Sequence, residues 1–132
     1  MTVNYLAIFI SAMVAFVFGG LWYGLLGKQW MTAHGWAPVA KPTMPIVPMF
    51  ISFAAELVMA FVLAGILAHV AKSGVTITAG LITGLLCWFG FVLTTLVTNH
   101  AYGKAKPMLT VIDGGHWLGV LLLQGLVLGW LG

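Results

Sequence analysis

Four long apolar stretches, separated by short polar or proline-containing segments, make up most of the chain. They cover about residues 3–27, 44–71, 76–102 and 108–131. Each is long enough to cross a bilayer as a helix, which needs about 20 mainly apolar residues. The prolines at the start of the second stretch suit the first turn of a helix. The pattern predicts an all-α polytopic membrane protein with four transmembrane helices in a single domain.

The connections between the stretches are short, apart from the first. Residues 28–43 form the only sizeable loop, whereas residues 72–74 and 103–107 are tight turns. Short connections make consecutive helices antiparallel, so we expect an up-down bundle. Aromatic residues near the ends of the stretches are typical of the belt at the membrane–water interface. These residues are Trp22, Tyr23, Trp30, Trp36 and Trp130.

The composition predicts that most of the protein surface lies in lipid. Apolar residues make up 62% of the chain and charged residues 5%, and the mean hydropathy is +1.13. A soluble domain carries roughly 25% charged residues, because its surface faces water. The lipid bilayer is therefore the principal partner. The first stretch is expected to remain as a helix, because its apolar run is longer than that of a signal peptide and no basic residue precedes it.

The lysines predict the orientation in the membrane. Four of the five fall in the first and third connections, and Lys72 falls in the second. Because cytoplasmic loops carry an excess of basic residues, both termini are expected outside the cytoplasm. The lysines occur singly or as one pair, without arginine, which argues against a nucleic-acid-binding surface. The four lysines of the first and third connections are Lys28, Lys41, Lys104 and Lys106.

Small residues recur at helical spacing in every stretch. Lipid is as apolar as leucine, so membrane helices associate through close backbone approach and interhelical hydrogen bonds. More small-residue positions are present than one four-helix bundle needs, which predicts a homo-oligomer or docking to a larger membrane complex. The positions predicted to pack are Gly19, Gly80, Gly84, Gly115 and Gly119.

Both acidic residues, Glu56 and Asp113, fall inside predicted membrane helices. A carboxylate in hydrocarbon is costly unless it is neutral, paired or facing water. On the last helix, Asp113 shares a face with His116 and Gln124. At about 1.5 Å per residue, Asp113 lies about 8 Å and Glu56 roughly 12–18 Å from the cytoplasmic side. Two buried acids in a chain without others indicate a polar site.

A polar cluster is therefore expected in the cytoplasmic half of the bundle. Its members are Glu56, Asp113, His116, Asn99 and His100, with Gln124 further toward the outside. Such a set can bind and release protons, which is typical of a proton-coupled carrier or relay. The alternative is that these groups only pair with one another and hold the helices together. A metal or cofactor site is a third hypothesis, but carboxylate–histidine sites in helix bundles use more carboxylates than this chain has, so no cofactor or metal is predicted.

Three runs of the sequence resemble a known family. They are GGLWYGLLGKQW (19–30), GFVLTTLVTNHAYGK (90–104) and LTVIDGGHWLGVLLLQGLVLG (109–129). The chain is similar, over almost its whole length, to a bacterial family of small four-span membrane proteins catalogued as domain of unknown function 1761. The resemblance implies a four-helix membrane fold in the bacterial inner membrane. It implies no established activity.

Three classes of function are consistent with these patterns. A small proton-linked carrier or permeation unit with a buried carboxylate and histidine cluster is the favoured hypothesis. A non-catalytic accessory or assembly subunit of a larger membrane complex is the alternative. An enzyme comes third, because no Gly-rich phosphate loop, nucleophile elbow or CxxC motif occurs in the chain.

Overall fold

A computed structural model describes residues 3–37 and 45–132, and in these ranges the chain forms four long helices. Each is long and apolar enough to cross a membrane. The helices are α1 (Tyr5–Ala33), α2 (Ile46–Val70), α3 (Ile77–Tyr102) and α4 (Pro107–Leu131). The prediction of an all-α protein with four membrane-length helices is confirmed.

The first helix ends at Ala33, later than the predicted end near residue 27. Gly35 stops it, adopting the left-handed backbone at φ 84° that favours glycine. The amides of Gly35 and Trp36 then donate to the carbonyls of Thr32 and Met31, both at 2.9 Å, which closes a Schellman motif. Residues 28–33 therefore belong to the helix rather than to the loop. The predicted start of the second helix at residue 44 lies outside the described residues.

The third helix is interrupted by a π-helical segment, Trp88–Leu93, between α-helical parts Ile77–Cys87 and Thr94–Tyr102. A π segment is a widened part of a helix with i→i+5 hydrogen bonds. The hydroxyls of Thr94 and Thr95 donate to carbonyls within this segment, those of Gly90 and Phe91. Trp88, the first residue of the segment, continues the helix face of Gly80 and Gly84 toward α4, where its indole N–H donates to the Gly114 carbonyl at 2.8 Å.

The fourth helix is the centre of the bundle. It holds more buried residues than any other helix and packs between α1 and α3. The second helix lies mainly against α1, where Phe53 makes edge-to-face contacts with Phe9 and Phe16. The two chain ends meet on one side of the bundle, because the Asn4 side chain donates to the Leu131 carbonyl at 3.0 Å.

Glycines allow α4 to approach both neighbours closely. Gly80 of α3 and Gly125 of α4 face each other backbone to backbone, and a Cβ on either would collide with the carbonyl of the other. A Cβ on Gly84 would lie 2.6 Å from the Leu121 carbonyl oxygen. On the other side, Phe18 and Trp22 of α1 lie against glycines of α4. These are Gly119 for Phe18 and Gly115 for Trp22.

We expect Gly80→Val to lower the free energy of unfolding by about 1–3 kcal/mol, because the added side chain pushes α3 away from α4. Unfolding by dodecyl sulfate in mixed micelles measures this effect. Gly65→Val is the matched control, since a Cβ on Gly65 meets nothing within 4 Å in the described part of the chain. Equal losses in both variants would contradict the packing role of Gly80.

Candidate functional site

Asp113 accepts two hydrogen bonds from α1. The Tyr23 hydroxyl donates to Asp113 Oδ1 at 2.6 Å, and the Trp30 indole N–H donates to the same oxygen at 3.1 Å. Tyr23 and Trp30 are seven residues apart, or about two helical turns, and therefore lie on one face of α1. The extension of α1 to Ala33 is what places Trp30 on this face.

His100 connects the same carboxyl group to α3. Its Nε2 lies 3.7 Å from Asp113 Oδ2, an ion pair when the imidazole is protonated. Its Nδ1 lies 2.8 Å from the Thr110 hydroxyl, which is one turn before Asp113 on α4. Asp113 thus joins α1, α3 and α4 at the end of the bundle where the first and third connections lie.

Two indoles bind the backbone on either side of Asp113. Trp22 of α1 donates to the Ile112 carbonyl at 3.0 Å, and Trp88 of α3 donates to the Gly114 carbonyl at 2.8 Å. A helical carbonyl has a second lone pair after accepting its intrahelical bond. Donors from two helices therefore converge on three consecutive residues of α4.

His116 lies deeper in the bundle and is surrounded by aromatic rings. Its ring centroid is 4.9 Å from that of Tyr23 and 4.6 Å from that of Trp117, and its plane is parallel to Phe18 at 6.2 Å. Its Nε2 is close to Gly19, where a Cβ would lie 2.8 Å away. Its Nδ1 is buried and has no hydrogen-bond partner among residues 3–37 and 45–132. Tyr23 thus contacts both His116 and Asp113.

Glu56 and Gln124 form a second polar group. Both are almost fully buried, at 1% and 0% exposure. The Gln124 amide donates to the Glu56 backbone carbonyl at 2.9 Å. Within the described ranges, neither Glu56 Oε1 nor Gln124 Oε1 has a hydrogen-bond partner. Two buried oxygens without donors are therefore present where α2 meets α4.

The residues predicted to gather in one cluster are divided between two levels. Gln124 is eleven residues from Asp113, or about 16 Å along α4, so Glu56 is held well away from Asp113. The structure brings Asp113 to His100, with His116 next in the interior through Tyr23. The residue adjacent to His100, Asn99, is exposed. The five residues therefore do not form the single group expected from spacing alone.

The donors that surround Asp113 are absent from the site residues predicted from the sequence. From their positions near helix ends, Trp22, Tyr23 and Trp30 were expected to lie at the membrane–water interface. In the structure each donates a hydrogen bond to residue 112 or 113 of α4. The spacing of seven between Tyr23 and Trp30 is the signal that could have indicated a shared face. Trp88 lies four residues after Gly84 and eight after Gly80, so the same kind of spacing could have placed it on the glycine face that meets α4.

Titratable side chains lie next to one another around Asp113. In the part of the chain that the structure describes, no three His, Cys, Asp or Glu side chains converge as a metal ion would need. Asp113 contacts His100 and Tyr23, and Tyr23 in turn contacts His116; each of these side chains can bind or donate a proton.

Comparison with known proteins gives a family but no activity. A family model described as "Protein of unknown function (DUF1761)" matches residues 6–129. No curated protein and no solved structure matches the chain. The match agrees with the resemblance seen in the sequence and covers all four helices.

We expect Tyr23→Phe to lower the free energy of unfolding by about 0.5–2 kcal/mol, because Asp113 loses a donor inside the bundle. Dodecyl sulfate unfolding in mixed micelles is the measurement. Tyr102→Phe is the control, since Tyr102 is 87% exposed. A Tyr23→Phe protein as stable as the control would argue against a role for this hydrogen bond in the fold.

Proposed function

We propose that this chain, which belongs to the DUF1761 family of proteins of unknown function, is a small proton-linked carrier or permeation unit. Its four apolar helices already make it a multi-pass membrane protein. Glu56, Asp113 and His116 are the groups proposed to bind protons or substrate. The neighbouring polar side chains in the proposal are His100 beside Asp113 and Gln124 beside Glu56, with Asn99 as the exposed neighbour of His100.

The observation that carries the proposal is a set of buried polar atoms without partners in the described part of the chain. Three of them, His116 Nδ1, Glu56 Oε1 and Gln124 Oε1, belong to the membrane helices, and a fourth, His34 Nε2, lies just after α1. A buried polar atom that lacks a hydrogen bond costs about 1–3 kcal/mol, so such atoms are rare in folded proteins. Three of them within one small bundle favour a binding role over a purely structural one.

The arrangement also supports a path for proton movement. His100 lies near the end of the bundle, with its Nε2 3.7 Å from Asp113 Oδ2. The Tyr23 hydroxyl donates to Asp113 Oδ1 at 2.6 Å. Further inward, the ring centroids of Tyr23 and His116 are 4.9 Å apart. Tyr23 can pass a proton because its hydroxyl both donates and accepts. Gln124 and Glu56 lie beyond His116, about two turns further along α4.

The location belongs to the same proposal. We infer insertion in the bacterial inner membrane with both termini outside the cytoplasm. The bias of lysines toward the first and third connections supports this orientation.

Reconstitution into liposomes that enclose a pH-sensitive dye tests the carrier. With an imposed pH gradient, Glu56→Gln and Asp113→Asn are each expected to reduce proton flux at least about tenfold, as expected when a group that must bind the proton is lost. Asp113→Asn keeps an oxygen that can accept the bonds from Tyr23 and Trp30, and Glu56→Gln leaves the backbone carbonyl that accepts from Gln124, so unfolding in mixed micelles should show an assembled protein.

His69→Gln is the control for this flux experiment. His69 is exposed near the other end of α2, and its ring nitrogen contacts the Gly65 carbonyl of the same helix. Its flux should equal that of the unmodified protein. A wild-type protein without flux, or full flux in both carboxyl variants, would refute the carrier.

A second candidate function, an accessory or assembly subunit, is supported by a different face of α1. Gly20, Gly24 and Gly27 follow one another at intervals of four and three residues and thus share a face. A Cβ on any of them meets nothing within 4 Å in the described chain. Such a glycine face permits close approach of another helix, from a second copy or from a larger complex.

The accessory role predicts that Gly20→Ile combined with Gly24→Ile removes a bound partner. A pull-down in mild detergent, with identification of the bound chains, should recover a stoichiometric partner or a second copy with the unmodified protein and little of it with the double variant. Gly65→Ile, at an equally open position on α2, should leave the partner bound. Recovery of the protein alone, without any stoichiometric chain, would refute this role.

A further inference from the structure

A groove lies between the last turns of α1 and the first turn of α4. Its volume is about 360 Å³. The lining residues are Lys28, Gln29, Thr32, Ala33, Lys106 and Met108. Lys106 reaches across it, with its ammonium 3.5 Å from the Thr32 carbonyl oxygen. The groove therefore contains two cationic side chains, one from α1 and one from the start of α4.

An adjoining cavity adds more basic groups. It has a volume of about 270 Å³ and shares Ala33 and Lys106 with the groove. Lys104 and His34 also line it. The His34 ring is held between Trp30 and Trp36, with ring centroids 4.4 Å and 4.3 Å away. Its Nε2 is buried and unpartnered within the described residues.

No acidic side chain neutralises these charges locally. The chain has only two acids. Glu56 is buried between α2 and α4, and Asp113 accepts its hydrogen bonds from Tyr23 and Trp30 inside the bundle. Like charges that share a groove repel each other, and a bound anion removes this repulsion. Lysine ammonium groups bind phosphate well as point charges.

The surroundings of the groove are apolar and face outward. Leu25, one turn before Lys28, is 81% exposed, and Val111, one turn after Met108, is 64% exposed. In a membrane helix these side chains contact acyl chains. A ligand that fits both features has a phosphate at the groove and hydrocarbon beside Leu25 and Val111.

We propose that this groove binds the headgroup phosphate of an anionic phospholipid. Lys28 and Lys106 contact the phosphate, and Lys104 and His34 in the adjoining cavity face the rest of the headgroup. Basic pockets between membrane helices are a general means of recognising anionic lipids. The site shares none of the proposed proton-binding residues, although Trp30 contacts both His34 and Asp113, and it does not depend on the proposed transport.

Native mass spectrometry of the protein released from nanodiscs tests the proposal. The discs contain phosphatidylcholine with a minor fraction of phosphatidylglycerol, and retained phosphatidylglycerol is counted. Lys28→Gln combined with Lys106→Gln is expected to reduce its apparent affinity roughly tenfold or more, since each lysine near the headgroups contributes to binding. Lys28→Arg combined with Lys106→Arg should retain the lipid.

Lys72→Gln is the matched control. This variant removes a lysine from the turn between α2 and α3, at the end of the bundle opposite the groove, and should leave lipid retention unchanged. Equal loss in this control would overturn the site, because it would indicate general attraction to a charged surface. Unchanged retention in the Lys28→Gln, Lys106→Gln variant would overturn it as well.

Two thermal measurements distinguish a bound lipid from free phosphate and from a purely structural role of Lys106. Inorganic phosphate added to discs of phosphatidylcholine alone should not raise the melting temperature, and a rise would identify free phosphate as the ligand instead. Phosphatidylglycerol should raise the melting temperature of the unmodified protein and of the single variant Lys28→Gln more than that of the double variant. An equal rise in all three would overturn the proposal and leave Lys106 only as a cap for the end of α1.

Discussion

Contact between backbones is the constraint on which this bundle depends. Apolar side chains gain little free energy by moving from lipid into a helix interface, so membrane helices associate where their main chains approach closely. Gly80 and Gly125 provide such an approach between α3 and α4, and Gly84 continues it one turn further along α3. This seam makes α4 the central helix. The polar residues of α4 described above are consequently enclosed by neighbouring helices rather than by hydrocarbon.

Enclosure explains why an aspartate is tolerated within the span. The carboxyl group receives donors from α1 and has His100 of α3 beside it, while indoles of Trp22 and Trp88 bind the carbonyls next to it. These bonds also fix the rotation and height of α1 and α3 relative to α4, because each donor reaches only one acceptor. A structural role and a proton-binding role are compatible at such a residue, since the geometry that stabilises the group also positions it.

The sequence was sufficient for the features that depend on one helix at a time. Length and hydropathy predicted the four spans, because crossing hydrocarbon imposes a minimum apolar length. Relations between helices were harder. Spacing placed Glu56 on a face of α2, but the level at which that face meets α4 depends on the packing of both helices. Trp30 could not be assigned to a helix without knowing that Gly35 closes it, and nothing in the local sequence indicated the π segment after Cys87.

The π segment of α3 lies between two separate contacts of this helix with α4. Before it, Gly80 and Gly84 fix the phase of α3 against α4, and after it His100 must point at Asp113. A regular α-helix advances about 100° per residue, so two docking points seldom share a phase by chance. One inserted residue in a widened turn rotates the second half of the helix relative to the first. The segment thereby takes up the angular mismatch between a seam of glycines and a hydrogen-bonded site.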